Sequence, residues 1–113
     1  MRIVDTNDLK ATARECGSYF FEPKTMRYFD SRLIDVEPTS EDTLTGYFLT
    51  SERDKWNNRP RKYSVRAYTV VGHEHEDGTG CHRFNVEKIE TYSTLAKART
   101  DLRKQAEAER MQS

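Results

Sequence analysis

Between Thr25 and Val71, aromatic and β-branched residues alternate with Arg, Lys, Ser and Thr. A period of two is the signature of antiparallel strands with one apolar face and one hydrogen-bonding face. Four strands are expected. Arg32 to Glu37 puts Ile34 and Val36 on one face. Thr43 to Ser51 alternates Leu44, Gly46 and Phe48 with Thr45, Tyr47 and Leu49, and the pattern does not choose between its two sides. Arg61 to Val71 is clearest, with Tyr63, Val65 and Ala67 inward and Lys62, Ser64, Arg66 and Tyr68 in an outward row. Cys81 to Ile89 turns Phe84 and Val86 inward and Arg83, Asn85 and Glu87 outward. Turn residues separate the strands at Pro38–Asp42, Asn57–Pro60 and Asp77–Gly80, and short connections favour an antiparallel meander.

Helical periodicity flanks this region. Asp5 or Thr6 caps a helix running to about Cys16, with Leu9, Ala13 and Cys16 on one stripe and Gly17 as its stop. Ser18 to Phe21 reads as extended. Pro23 opens a short helix through Met26, Arg27, Tyr28 and Phe29, with Met26 and Phe29 turned inward. Ser93 or Thr94 caps a second long helix whose apolar stripe is Leu95, Ala98, Leu102 and Ala106. Beyond Leu102 the stripe thins to alanine, so residues 104–113 are expected to fray or project. The predicted fold is a single α+β domain over 1–113: an N-terminal helix, a four-stranded antiparallel meander, and a C-terminal amphipathic helix packed on one face.

Composition narrows the function classes. Nineteen basic and nineteen acidic residues leave no net charge, hence no global field that draws in nucleic acid or an anionic membrane. Charge is locally segregated, however, with Arg59, Arg61, Lys62 and Arg66 close together in the chain. No apolar run has the length of a membrane span, and the polar residues that follow Met1 lead to the expectation of no signal peptide. With two Cys and no disulfide framework, a cytoplasmic location is expected.

The residues offer four classes of chemistry. His73, His75, Cys81 and His82 lie within ten residues, but a strand geometry sends Cys81 and His82 to opposite faces, and no metal or cofactor is expected. The carboxylates fall in turns and on exposed helix faces, and no nucleophile elbow or phosphate loop is present. No catalytic residue is therefore expected, and a small metalloenzyme is the third reading. A nucleic-acid surface would use the outward row Lys62, Arg66 and Tyr68 with Arg83. A protein-binding surface would use Trp56, Arg27, Tyr28, Arg32, Arg59 and Arg61 as well, since Tyr, Trp and Arg dominate interface hot spots. As the chain's one Trp, Trp56 either folds back as a lid or meets a partner, and a lid on the core is expected.

Three stretches carry a family resemblance: Thr25-Met-Arg-Tyr-Phe-Asp-Ser-Arg32, Gly46-Tyr-Phe-Leu-Thr-Ser-Glu52 and Pro60-Arg-Lys-Tyr-Ser-Val-Arg66. In this order they resemble a group of small uncharacterised proteins carried by bacteriophages and other mobile elements, over roughly residues 10–100. The loop around Trp56 and the His-containing hairpin are longer here. At topology level a three-stranded sheet followed by a helix also resembles the arm-binding domains of integrases and the AP2-type DNA readers. The phage resemblance implies no reaction. It implies a non-catalytic accessory protein that occupies a host or defence-system protein, acting as an inhibitor, with DNA or RNA as the alternative partner. Oligomeric state is left open, a homodimer included. Within these motifs Glu52 is expected to pair with Arg61 or Arg32 across neighbouring strands.

Overall fold

The computed structural model describes residues 2–54, 56, 59–74 and 80–112, with the backbone alone at 73, 74, 80 and 81. Along the chain run α1 (Thr6–Glu15), α2 (Pro23–Tyr28), β1 (Arg32–Pro38), β2 (Thr45–Glu52), β3 (Lys62–Glu74), β4 (Gly80–Tyr92) and α3 (Leu95–Met111). The strands are antiparallel in the order β1-β2-β3-β4, which is the expected α+β meander. Local chemistry sets the helix ends. The Asp5 carboxylate accepts from the Asp8 amide at 2.8 Å, and Gly17 leaves α1 at φ +76°, where a side chain is strained. At α3 the Thr94 hydroxyl accepts from the Lys97 amide at 3.3 Å.

The sheet is packed on both faces. On one, α1 and the Phe20–Phe21 segment cover Val36, Phe48, Tyr68 and Val70, with Phe84 and Val86 partly buried beside them. On the other, Ala98 and Leu102 of α3 cover Leu49 and Val65, flanked by Ile34, Tyr47, Tyr63 and Tyr92. This overturns the expectation of one apolar and one hydrogen-bonding face. Tyr68, placed in the outward row, is buried at 1 % exposure in the larger core. The ambiguous alternation of β2 has its explanation here, because Phe48 and Leu49 are both fully buried on opposite sides. Ile34 and Val36 also separate. A bulge between Leu33 and Asp35 shifts the β1 register and turns Ile34 toward α3 while Val36 joins the α1 core.

Gly46 and Tyr68 are partners across β2 and β3. A Cβ at Gly46 would stand 2.6 Å from the Glu37 carbonyl oxygen, 2.7 Å from Tyr68 Cε1 and 2.8 Å from Pro38 Cα. The bare glycine therefore makes room for the Tyr68 ring. The Tyr68 hydroxyl donates to the Thr43 carbonyl at 2.9 Å, and the Thr43 hydroxyl accepts from the Ile3 amide at 2.7 Å. Thr43 sits at φ +61°, uncommon for a β-branched residue; these two bonds hold it there.

The C-terminal turns are helical through Met111, with residues 107–112 exposed. Ala106 is fully buried, Tyr47 donates to the Glu109 carboxylate at 3.2 Å, and Arg110 pairs with Glu37 at 2.8 Å. The alanine-thinned stripe suits close packing on the sheet.

Candidate functional site

A ten-residue helix is about 15 Å long, whereas the thirteen residues of β3 extend about 43 Å. Even laid along the strands, α1 leaves part of its sheet face to other segments. Phe20 and Phe21 continue the cover, packing edge-to-face on Phe48 at 5.8 and 5.5 Å between ring centroids. Phe20 reaches as far as Arg66, whose guanidinium carbon lies 5.2 Å from the ring centroid. Past that point the face is open.

Ion pairs from all three motifs frame the opening. Arg66 meets Glu52 at 2.5 Å, and Thr50 donates to the same Glu52 carboxylate at 3.2 Å. Arg61 reaches the Asp30 carboxylate at 2.6 Å, the Asp30 carbonyl at 2.8 Å and the Ser51 hydroxyl at 3.0 Å. Glu52 thus pairs with Arg66 rather than with Arg61 or Arg32. Register alone favours Lys62, which lies opposite Glu52, but the longer guanidinium of Arg66, four residues on and on the same face, captures the carboxylate. Asp30, at φ +47°, reverses the chain after α2, and the Arg53 amide donates to the Phe29 carbonyl at 3.2 Å. Both Arg61 and Arg66 are consequently committed inside the fold.

The opening is a groove of about 760 Å³. Its floor carries Lys62, Ser64, Lys88 and Thr91; its walls are the Tyr28–Phe29 turn and the β2–β3 loop with Arg53, Trp56 and Arg59. The Ser64 and Thr91 hydroxyls lie 3.3 Å apart. Three rings stand out into solvent: Tyr28 at 67 %, Phe29 at 51 % and Trp56 at 85 % exposure. Tyr28 and Phe29 pack edge-to-face at 4.8 Å. Trp56 is no lid on the core; its amide instead closes a local turn by donating to Asp54 at 3.0 Å.

The groove gathers Tyr28, Trp56, Arg59 and Lys62 from among the residues expected to bind a partner. Arg27 on α2 and Arg32 at the start of β1 are exposed but do not line it. Arg83 is exposed on β4 opposite Val71, which puts it on the α3 side of the sheet, away from Lys62 and Lys88. The joint surface of Lys62, Arg66, Tyr68 and Arg83 is therefore not formed. His75 lies outside the described residues, as do the side chains of His73 and Cys81.

Phe29, Arg53 and Lys88 also line the groove, though none is among the expected binding residues. Helical spacing turns Phe29 inward, but α2 ends at Tyr28 and the left-handed Asp30 redirects the chain, leaving the ring exposed. Lys88 faces the groove by simple alternation from Phe84 and Val86, whereas Thr91 comes to lie beside Ser64 there because the β3–β4 register shifts between Val65 and Arg66. Neither a bulge nor a positive φ at Asp has a strong sequence signal.

No curated protein and no solved structure matches the chain. A family match does extend over residues 5–103, taking in α1, α2, all four strands and the first half of α3, and with them every residue that lines the groove. The chain belongs to the family of unknown function DUF7447.

Proposed function

We propose that this chain is a non-catalytic accessory protein of the phage or mobile-element kind, acting in the host cytoplasm by holding a macromolecular partner in the groove between the Tyr28–Phe29 turn and the Trp56 loop. The observation that carries the reading is the exposure of three aromatic rings around a single cation-bearing groove. Large rings left in solvent at one place lower no folding free energy, whereas a partner that covers them gains their burial, about 25 cal/mol per Å². The ion pairs behind the groove hold its frame in the free protein, which limits the ordering cost of binding.

Crosslinked capture from a bacterial host lysate tests this, scored for both bound protein and bound nucleic acid. Wild type retains a specific partner, and Trp56→Ala and Lys62→Glu each lose it. Identical capture by wild type and both variants places the binding surface elsewhere and overturns the reading.

A further inference from the structure

Resting on that reading of the groove, we infer that its occupant is a single-stranded nucleic acid, held by base stacking on Tyr28, Phe29 and Trp56 and by phosphate contacts from Arg59, Lys62 and Lys88. The first support is charge. Among the described residues, no ion pair or hydrogen bond engages the side chains of Arg59, Lys62 or Lys88. Glu52, the carboxylate beside Lys62, is already bonded to Arg66. Three cations thus face one opening with their charge unspent, although the whole chain is neutral.

The second support is the kind of surface interleaved with those cations. An acidic peptide would satisfy the charges and leave the ring faces without planar partners. A duplex would satisfy the charges too, but its bases are already stacked on one another. Single strands present both a phosphate chain and free base faces, and cationic grooves with exposed aromatics are how such strands are held without sequence preference. On the floor the half-buried Thr91 hydroxyl, backed by the buried Ser64 at 3.3 Å, adds a hydrogen-bonding group that suits phosphate or sugar.

Fluorescence anisotropy decides it, using a labelled 12-nucleotide mixed-sequence DNA and its RNA counterpart, the matched duplex, and a labelled oligoglutamate. Wild type binds the single strands at least about tenfold tighter than the duplex. Three phosphate contacts give a log–log salt slope of about −2, so affinity falls roughly 20-fold between 50 and 200 mM salt. Trp56→Ala weakens binding at least about fivefold, and Lys62→Glu with Lys88→Glu abolishes it. Arg83→Glu, on the opposite face, leaves it unchanged, and circular dichroism with urea midpoints confirms that every variant is folded. Single-strand binding that is absent, or that survives Lys62→Glu with Lys88→Glu, overturns the inference. Groove-dependent binding of oligoglutamate in its place removes the nucleic acid while sustaining the groove as a protein site. If no probe binds, the inference falls, and the groove itself is judged by the lysate capture.

Discussion

Single residues explain why one strand pair cannot be altered freely. At Gly46 two of the three atoms that a Cβ would strike belong to backbone, so side-chain adjustment cannot relieve the clash. Gly46→Ala is expected to cost about 1–3 kcal/mol, read as a lower urea midpoint with an unchanged m-value; an unaltered midpoint contradicts the packing described for Tyr68. Burial lifts the Tyr68 phenol well above the ordinary 10.0, and at Tyr92 burial, with the Asp101 carboxylate adding to it, pushes the phenol up to about 12. A phenol whose pKa rises on folding stays protonated in the native state after it has begun to ionise in the unfolded chain. Its contribution is therefore complete below about pH 10 and is lost as the pH climbs above that value. Urea midpoints should be level between pH 7 and 9 and decline beyond 10. Tyr68→Phe should start about 1 kcal/mol lower, since the Thr43 carbonyl loses its donor, and decline less steeply. An equally steep decline in that variant rules out Tyr68 as a source of the alkaline loss.

At the scale of elements, helix caps and strand periods were legible in the sequence, while the devices that aim side chains were not. Asp5, Gly17, Pro23 and Thr94 each mark a helix end by their own chemistry. The bulges at Leu33/Asp35 and Val65/Arg66 have no such marker, yet they decide that Ile34 turns to α3 and Thr91 to the groove. The motif arginines also read as surface groups because a guanidinium on an alternating strand looks the same paired or unpaired. In the fold Arg61 ties the turn after α2 to β2, making three hydrogen bonds at one-fifth exposure. Arg61→Ala is expected to destabilise by about 1–3 kcal/mol, whereas Arg110→Ala, breaking the more exposed pair with Glu37, should stay within about 1 kcal/mol. Equal urea midpoints for the two variants contradict this division. Leu102→Ala, deleting a fully buried side chain between α3 and the sheet, should cost about 2–5 kcal/mol.

For the molecule as a whole, the decisive fact is that both faces of the meander are used. Inward residues on β3 and β4 were read as one set, but Val65 faces α3 while Phe84 and Val86 face α1. A neutral, charge-rich chain gives little warning of this, because the second core is small and built from Ala98, Leu102, Leu49 and Val65. With α3 on one face and α1 over part of the other, the open part of the α1 face beside the β2–β3 loop gathers the exposed rings and the unspent cations. Arg61, Arg66 and Tyr68 maintain the frame, and the proposed recognition rests on Tyr28, Trp56, Lys62 and Lys88. The most direct test is an amide and indole chemical-shift map recorded while a single-stranded oligonucleotide is titrated into the isotope-labelled protein. The account predicts saturable shifts at Tyr28, Phe29, the Trp56 indole, Lys62, Ser64 and Lys88, with α3 and the Arg83 region unmoved. Shifts centred on α3 or Arg83, or none at the Trp56 indole, contradict it.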